Sequence, residues 1–446
     1  MQSEPNVKVT IIVPVHNSER YLRQCLESAL AQTLRDIEVL CIDSGNTDRC
    51  FQIIAEMKAR DNRIVYIKDP NSSYGYKINT GIDMAKGDYA AILETDDQMS
   101  PDMVEKLYTA GEFYHADIVN SDYYQFFEYK GQKFSEECKL YSNAQAHDQR
   151  KKSAADEGGK EISAPRSKLS VTVLWTALYR KSFLLAHNIR LNESPGASYQ
   201  DTSFLFLTGI SAKSVYHLDE PLYWYRMDNA GSSIKDDKKI FEAADEFKFL
   251  KQELEKRSVK DAGVWNMFYD RKYSVFYWNY LRLSEKAREQ FLKRYLEELR
   301  DDIAAGAFGT ETCGEAFYQR TFLLIDDLDA FKKIADEENQ HRSIMTMPET
   351  LDKLEGREVV VFGAGIFGSK VINILRKTEN RVLGICDNAE KLHGTTLSGL
   401  EVGPVSETVK RFPNARYLVV NRRHSEEMKA QLLAEGISEE NIEVFQ

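Results

Sequence analysis

The sequence predicts an α/β protein in three consecutive parts, the first of which is built on a parallel sheet. Apolar, β-branched runs such as Val7 to Val15 and Ile37 to Ile42 alternate with helical patterns such as Glu19 to Gln32 and Cys50 to Arg60. A long segment after residue 235 has helical periodicity throughout, and a second alternation of strand and helix begins near Glu358. Strands and helices that alternate at this spacing form a parallel sheet with helices on both faces.

The predicted domain boundaries are 1–235, 236–350 and 351–446. The middle part, Lys238 to Asn339, carries aromatic residues at spacings of three and four, among them Trp265, Phe268 and Phe276. A packed face of a helix bundle is the favoured interpretation, and an aromatic binding surface is the alternative. The last part, from the strand Glu358 to Phe362 onward, is expected to be a small, separate α/β domain.

The composition is that of a folded protein that does not coat nucleic acid. The chain has 446 residues, with 59 Lys and Arg against 70 Asp and Glu, which gives a formal charge of -11. An acidic balance argues against nucleic acid as a partner. Hydrophobic residues make up 42% of the chain, and 24 Gly with 10 Pro are too few for a collagen-like or wholly disordered protein.

The expected location is the cytoplasm, and any contact with a membrane is expected to be peripheral. No window approaches ~18 uninterrupted apolar residues, and the start of the sequence lacks the basic and apolar regions of a signal peptide. The six cysteines are far apart, with no C-x-x-C pair, so they are expected to be reduced thiols.

An acidic cluster follows the fourth predicted strand. Glu94, Asp96 and Asp97 crowd within four residues after the apolar run Tyr89 to Leu93. Ligands of such sheets bind beyond the carboxyl ends of the strands, and carboxylates held this close favour a hard cation such as Mg²⁺ or Mn²⁺. A solvated turn is the alternative. A polar segment further on, Ser142 to Lys168, is predicted to be a mobile loop.

Four sequence segments in the N-terminal half occur in a characteristic order. They are VPVHN (Val13 to Asn17), IDSGNTD (Ile42 to Asp48), NTGIDMAKGDYAAILETDD (Asn79 to Asp97) and Pro101. Together they resemble the family 2 inverting glycosyltransferases with the GT-A fold. The resemblance covers Val7 to Ser233, and it implies a GT-A nucleotide-sugar transferase domain ahead of the helical part and a small Rossmann-like domain.

The resemblance implies roles for the residues that end the strands. Asp43 would receive the uracil N3–H of a UDP-sugar, since a carboxylate is an acceptor only. The first strand and its loop would contact the nucleotide-sugar through Pro14, Val15 and Asn17. Ser44 and Asn46 depart from the family pattern, where an Asp and a Ser are usual. This departure leaves the identity of the nucleotide base open.

The D-x-D metal motif of the family corresponds to Glu94-Thr95-Asp96. The resemblance therefore implies that Asp96 holds Mn²⁺ or Mg²⁺ and that Glu94 contacts the sugar or ribose. Asp97 is expected either to support the site or to be a helix N-terminal residue stabilised by the dipole.

The diphosphate contacts implied by the family fall on Lys77 and Asn79 and on a later segment. For Lys77, a surface lysine is the alternative. In that later segment, Tyr223-Trp224-Tyr225-Arg226, Arg226 would clamp a phosphate, in company with Ser232 and Ser233.

An inverting transfer needs a base but no protein nucleophile. The family places its base in a segment that corresponds to Pro195 to Phe204 here, with Gln200 where Glu is frequent, so Asp201 is the predicted base and Gln200 is expected on the acceptor side. A helix cap is the alternative role for Asp201. Trp175 is expected either to stack on an acceptor sugar or to pack in the core.

The C-terminal part contains G-x-G-x-x-G after a strand. The glycines are Gly363, Gly365 and Gly368, and Asp387 follows at the distance of a ribose-binding acid. An NAD-like ligand is one interpretation of this pattern. A structural or assembly module is favoured, since too few residues follow for the substrate domain of a dehydrogenase.

The leading hypothesis is a metal-dependent inverting transferase. It would move a sugar from a nucleoside diphosphate, with UDP favoured, to a hydroxyl of a bacterial surface glycan or lipid-linked acceptor. The assignment to surface glycans is an analogy with the family. A non-catalytic nucleotide- or glycan-binding protein with this fold is the alternative. A nucleotide-sugar oxidoreductase centred on Gly363 to Gly368 is the third hypothesis. A homo-oligomer is compatible with each of them.

Overall fold

The computed structural model describes residues 6–141, 159–162, 173–229, 231, 238–339, 347–421 and 424–445. They form two compact units. The first contains residues up to 126 together with 135–328, and the second contains 127–134 together with 329–446. Most of the predicted loop Ser142 to Lys168, and both Ser232 and Ser233, lie outside the described residues.

The described residues contain a ten-stranded sheet that carries the first unit. Its strands are β1 (Val9–Val15), β2 (Ile37–Asp43), β3 (Ile64–Lys68), β4 (Tyr89–Ile92), β5 (Gln98–Met99), β6 (Ile118–Tyr129), β7 (Gln132–Cys138), β8 (Gly159–Ile162), β9 (Ala177–Arg180) and β10 (Val215–Arg226). The order is β3-β2-β1-β4-β9-β6-β10-β5, with β7 paired to β6 and β8 paired to β10. Strands β1 to β4 are parallel, whereas β9 runs antiparallel to both β4 and β6.

Strands β1, β2 and β4 are buried on both faces, as their continuous apolar sequences predicted. Every residue of β1 and β2 is buried. Helix α1 covers one face with Tyr21, Leu22, Cys25 and Leu26, which the 3.6-residue period had placed on one side. The parallel half of the sheet therefore confirms the predicted α/β architecture.

Eleven helices lie in the described part of the first unit. They are α1 (Glu19–Leu30), α2 (Cys50–Lys58), α3 (Tyr74–Met84), α4 (Met103–Phe113), α5 (Lys181–Ala186), α6 (Gln200–Ser211), α7 (Glu242–Lys256), α8 (Ala262–Arg282), α9 (Glu285–Ala304), α10 (Thr310–Cys313) and α11 (Glu315–Asp326). None of the described helices is long and apolar enough to cross a membrane.

The helical part packs onto the sheet unit instead of forming a compact unit of its own. The Phe206 ring of α6 lies 6.4 Å from that of Phe268 on α8, and Phe268 lies 5.7 Å from Phe247 on α7. These rings are buried, as is Phe276. The predicted bundle face is confirmed for these residues, and their shared core explains why α7 to α11 belong to the same unit as the sheet.

The second unit contains a smaller sheet. Its strands are β11 (Glu358–Phe362), β12 (Arg381–Cys386), β13 (Thr396–Leu397), β14 (Leu400–Gly403), β15 (Arg416–Val419) and β16 (Ile442–Val444). The order is β13-β14-β12-β11-β15-β16, and every pairing except β13–β14 is parallel. The last helices are α12 (Leu328–Asn339), α13 (Met347–Leu354), α14 (Ile366–Leu375), α15 (Val405–Arg411) and α16 (Ser425–Ala434).

Candidate functional site

The loops after β1, β2 and β4 meet at the carboxyl edge of the parallel strands. Val15 and Asp43 are direct neighbours in the pairing of β1 with β2, and Asp43 pairs in turn with Lys68 of β3. Glu94 follows β4, which pairs with the other side of β1. This edge brings together the predicted residues from three separate stretches of sequence.

Asp43 is buried and accepts hydrogen bonds from its own loop. Its Oδ1 receives the amides of Gly45 and Asn46 at 2.8 and 3.2 Å and the Asn46 side chain at 2.7 Å. Its Oδ2 receives the Tyr66 hydroxyl at 2.8 Å. Since a carboxylate oxygen has two lone pairs, Oδ2 can still accept an N–H from a ligand.

Asn17 joins the loops after β1 and β2. Its amide donates to Asn46 Oδ1 at 2.6 Å, and its Oδ1 accepts the amide of Thr47 at 2.9 Å. Its φ of 42° is one that Asn tolerates better than most residues. Asn46, which departs from the family pattern, therefore connects Asn17 to Asp43.

Lys77 is a buried cation and not a surface lysine. Only 3% of the residue is exposed. Its Nζ donates to the Val15 carbonyl at 3.3 Å and to Ser44 Oγ at 3.2 Å. Burial lowers the pKa of Lys77, while Glu94 and Asp43 oppose that shift, so its charge lies within range of both acids. Ser44, the other departure from the family pattern, is thus a partner of the buried cation.

Glu94 lies in a crowded acidic environment. Tyr74 donates to its Oε1 at 2.5 Å, and its own amide donates to the Tyr223 hydroxyl at 3.2 Å. Burial raises the pKa of Glu94 to about 7; Asp96 and Asp201 add to this shift, and Lys77 opposes it. A carboxyl with this pKa changes its charge near neutral pH, as functional sites often require.

Asp97 is the buried residue of the acidic turn, which is the segment Glu94 to Asp97. It is 1% exposed and accepts the Tyr223 hydroxyl at 2.8 Å and the Arg226 amide at 2.8 Å. It precedes β5, not a helix, so the alternative of a helix N-terminal residue is wrong. Its pKa is raised by burial first and by the neighbouring acids second.

Arg226 is held against the inner side of the same turn. Its Nε donates to the Asp96 carbonyl at 2.9 Å, and one NH₂ donates to Gln24 Oε1 at 2.9 Å. The guanidinium lies 4.6 Å from the rings of both Tyr21 and Phe126. In this arrangement Arg226 positions the acidic turn, and the predicted phosphate clamp would require it to leave these partners.

Asp96 differs from its neighbours because its carboxylate is only lightly engaged. Its Oδ2 accepts the Asn229 side chain at 2.7 Å, and Oδ1 receives no hydrogen bond from the described part of the chain. Asp96 is partly exposed. An oxygen of this kind is available to a cation or a ligand.

Asp201 lies in the first turn of α6. The N-cap position belongs to Tyr199, whose φ is 61°, so the capping role suggested for Asp201 is wrong. Burial raises the pKa of Asp201, while Arg271 and the backbone amides of Asp201 and Thr202 oppose the shift. Because the charge of Asp201 also raises the pKa of Glu94, the two acids lie within electrostatic range of each other.

Gln200 holds the loop ahead of α6 and is buried there. Its Nε2 donates to Ser194 Oγ at 3.0 Å and to the Gly196 carbonyl at 3.2 Å, while its Oε1 accepts the Ser198 amide. With only 1% of its surface exposed, it serves the loop, whereas the prediction placed it on the acceptor side.

Asn79 fixes the neighbouring segment. Its side chain donates to the Leu191 carbonyl at 3.0 Å and to Glu193 Oε1 at 2.9 Å, and it accepts the Leu191 amide at 2.9 Å. Both donors and the acceptor of the amide are thus engaged within the chain. This geometry gives Asn79 a positioning role in place of the predicted diphosphate contact.

Trp175 packs in an aromatic cluster beside the acidic turn. Its ring stacks on Tyr225 at 5.1 Å and on Tyr223 at 4.5 Å, and it meets Tyr123 edge-on at 4.9 Å. Trp175 remains partly exposed. The packing alternative accounts for these contacts, and stacking on a sugar stays a prediction.

The glycine pattern of the second unit makes a tight turn. Gly363 has a φ of 126°, and a Cβ on Gly368 would lie 2.0 Å from the Gly363 carbonyl oxygen. Both carboxylate oxygens of Asp387 accept backbone amides, from Ala364 at 2.7 Å and Ala389 at 2.8 Å. These contacts give Asp387 a role in holding the turn around Gly365, and a nucleotide there stays a prediction.

Several residues of the site carried no motif of their own. Tyr74, Asn229 and Glu246 contact the acids or their loops, yet each lies in a pattern that many surface helices and loops share. Tyr223 and Arg226 belong to a segment that was singled out, although only Arg226 was assigned a role.

Two segments of the chain match known protein families. Residues 10–182 match the family described as "Glycosyl transferase family 2". The chain carries a family 2 glycosyltransferase domain. This glycosyltransferase domain contains the loops after β1, β2 and β4. Residues 355–443 match a second family, described as "C2185-like, N-terminal".

Curated relatives resemble the glycosyltransferase domain more than the rest of the chain. The putative glycosyltransferase EpsH of Bacillus subtilis is 30% identical over 237 residues, which is 53% of this chain and 65% of EpsH. Glycosyltransferase GlyA of Streptococcus pneumoniae is 40% identical over 124 residues, or 28% of this chain and 18% of GlyA. The chain thus covers less than two thirds of either relative.

A solved structure shares the fold. TarS of S. aureus, residues 1–349 in complex with UDP-GlcNAc, superposes with a TM-score of 0.55 at 16% identity. The match covers 76% of this chain and 93% of that one. The likeness supports a GT-A-like fold for the glycosyltransferase domain.

Proposed function

We propose that the chain transfers a sugar from a nucleoside diphosphate sugar to a hydroxyl of a glycan acceptor, with inversion at the sugar carbon. The observation that carries the proposal is the gathering of Asp43, Lys77, Glu94, Asp96 and Asp201 at one edge of the sheet. A donor-binding acid, a buried cation, an acidic turn and a separate acid at a helix start supply what a single displacement requires.

A divalent cation fits the acidic turn at Asp96. Three acids lie within four residues, and the charge of the buried Lys77 lowers the pKa of only one of them, Glu94, among the shifts that are resolved. Asp96 offers an oxygen that no described residue bonds, and oxygen ligands suit Mg²⁺ and Mn²⁺. When bound, such an ion would neutralise the leaving diphosphate.

Asp201 is the group proposed to take the acceptor proton. Its raised pKa makes it a stronger base than an exposed aspartate, and Arg271 opposes part of that shift. Helix α6, the Gln200 contacts and Tyr199 keep it in place. The Tyr199 hydroxyl donates to Asn279 Oδ1 at 2.7 Å and accepts from Arg282 Nε at 2.9 Å.

UDP is the proposed nucleotide, and a bacterial surface glycan is the proposed acceptor class. Asp43 Oδ2 retains a lone pair for the N3–H of uracil. TarS, which shares the fold, has been crystallised with UDP and with UDP-GlcNAc. Relatives that match parts of the glycosyltransferase domain include chondroitin synthase of Escherichia coli, 38% identical over 97 residues.

We further assign the second unit as a Rossmann-like module. Its five parallel strands, in chain order, are β11, β12, β14, β15 and β16. Counted in that order as 1 to 5, they lie side by side as 3-2-1-4-5, and the glycine turn follows the first of them. The engagement of both Asp387 oxygens favours an assembly role over a bound dinucleotide.

A nucleotide panel tests the donor site. Purified protein is melted with UDP, GDP, CDP, dTDP or NAD, each with and without Mn²⁺, and the measurement is repeated on Asp96→Asn. A ligand at about 100 times its Kd stabilises the folded state by about 2.7 kcal/mol. We expect UDP with Mn²⁺ to give the largest rise in Tm and Asp96→Asn to lose the part that depends on Mn²⁺.

The matched control is Asp102→Asn. This aspartate follows the same turn but is paired with Lys106 at 2.7 Å on the surface, so the variant should keep the full response. Stabilisation by NAD alone, or an equal loss in both variants, would contradict the proposed donor site.

A further inference from the structure

A second group of metal-binding side chains lies on strands β6 and β10, apart from the acidic turn. Asp122, His217 and Asp219 each offer one ligand atom, and these atoms all lie within 4.8 Å of one another. Asn120 with Asp122, and His217 with Asp219, are two residues apart on their strands, and His217 pairs with Asn120. The alternation of side chains along a strand therefore places all four on the same face.

Two buried polar atoms in this group have no hydrogen-bond partner among the described residues. They are His217 Nε2 and Asp122 Oδ2. His217 and Asp122 are each 1% exposed. Buried polar atoms are nearly always paired, because leaving one unpaired costs free energy. A ligand shared by both atoms would remove that cost.

The contacts of His217 select the form of the ring that binds metals. Its Nδ1 lies 3.1 Å from Asn120 Oδ1, and the other end of that amide, Nδ2, donates to the Tyr141 hydroxyl at 3.2 Å. An amide oxygen only accepts, so Nδ1 carries a proton, and in the neutral form of the ring Nε2 then presents its lone pair. A hydrogen bond from the far nitrogen is the usual support of a histidine that binds a metal.

The spacing also suits one ion. His217 Nε2 lies 3.2 Å from Asp122 Oδ1 and 3.6 Å from Asp219 Oδ1. Two ligands at about 2.0–2.1 Å from a tetrahedral zinc are separated by roughly 3.3–3.4 Å. Imidazole with two carboxylates favours Zn²⁺ over Mg²⁺ or Ca²⁺, which prefer all-oxygen sites.

We infer that Asp122, His217 and Asp219 bind one Zn²⁺ ion, with water in the remaining position. The ion would link β6 to β10 next to the irregular pairing between Leu218 and Tyr223. Since β10 also carries Tyr223 and Arg226, the ion would brace the strand that supports the acidic turn. The competing arrangement is an ion pair between a protonated His217 and Asp122, which needs no metal.

Co²⁺ is the probe for this site, because tetrahedral Co²⁺ absorbs visibly and occupies zinc sites. The full-length protein, freed of metal by a chelator and carrying no histidine tag, is titrated with Co²⁺ and then with Zn²⁺. We expect one equivalent of Co²⁺ to give tetrahedral absorption bands and Zn²⁺ to abolish them. The Asp96→Asn variant should give the same bands, since its change lies at the other acidic cluster.

Two variants locate the site. His217→Gln should lose the bands, and Asp219→Asn should weaken Co²⁺ binding by about tenfold or more. Asp219 has a 35% exposed side chain, so its variant should fold even where His217→Gln does not. Absent bands in the parent protein, or bands that persist unchanged in Asp219→Asn, would overturn the zinc site and favour the ion pair.

Discussion

The Tyr223 hydroxyl donates a 2.8 Å hydrogen bond to the buried carboxylate of Asp97. The same oxygen accepts the amide of Glu94 at 3.2 Å, so one side chain ties together both ends of the acidic turn. The turn that is proposed to hold the metal is therefore shaped by a residue of β10, more than a hundred positions away in the chain.

Tyr223→Phe should lower the free energy of unfolding by about 1–3 kcal/mol, because it leaves Oδ2 of the buried Asp97 without its hydrogen-bond donor. Chemical unfolding monitored by fluorescence measures this loss. Tyr225→Phe is the matched control, since its hydroxyl has no hydrogen-bond partner among the described residues and it shares the same aromatic cluster. Equal losses in the two variants would contradict the role given to the Tyr223 hydroxyl.

Arg271→Gln should move the acidic limb of the pH–rate profile to higher pH. Arg271 lowers the pKa of Asp201, so its removal lets that pKa rise further, and a base is active only when deprotonated. The profile of kcat/KM for sugar transfer measures the shift, and Arg271→Lys, which keeps the charge, should retain most of the original profile. An unchanged limb in Arg271→Gln would argue that another group titrates.

Gly75→Ala should disturb the loop between α5 and α6. A Cβ on Gly75 would lie 1.9 Å from the Asn192 carbonyl oxygen, whereas a Cβ on Gly309 would have nothing within 4 Å. We expect Gly75→Ala to lower the free energy of unfolding by about 1–3 kcal/mol and Gly309→Ala to change it little. The Tm of each variant measures the effect. Near-equal Tm values for the two variants would contradict this prediction and show that the loop moves to accommodate the added Cβ.

Glu94→Gln should stabilise the fold more at pH 8 than at pH 5. The folded pKa of Glu94 is about 7, above the ordinary value of 4.5, so the folded state binds the extra proton. Stability then falls as pH rises from about 4.5 to 7, by an amount on the order of 3 kcal/mol, and glutamine removes this loss. The Tm difference between variant and parent, taken across this pH range, measures it. A difference that does not grow with pH would contradict the shifted pKa.

The parallel half of the fold was accessible from the sequence for a physical reason. Strands such as β1 and β2 are buried on both faces, so their sequences are largely continuous apolar runs. The roles predicted for Asp43, Glu94 and Asp201 came from the family resemblance, in segments that end a strand or begin a helix. Their approach to one another needed the three-dimensional chain.

The direction in which a polar side chain points was not accessible in the same way. The family resemblance implied diphosphate contacts for Arg226 and Asn79, yet both are engaged within the chain. The order of the antiparallel strands, with β9 between β4 and β6, depends on contacts far apart in sequence. The same holds for Lys77, whose burial follows from the close packing of α3 against the sheet.

Asp201 is the proposed base of a sugar transfer at this edge of the sheet. The most direct measurement compares the parent protein with Asp201→Asn, both for UDP binding and for UDP release from a panel of UDP-sugars with Mn²⁺ and a glycan acceptor. We predict equal UDP affinity and a loss of turnover of about 10²- to 10⁴-fold in the variant. Equal turnover in the two proteins would contradict the account, and so would binding without turnover in the parent across the panel, which would favour a non-catalytic binding protein.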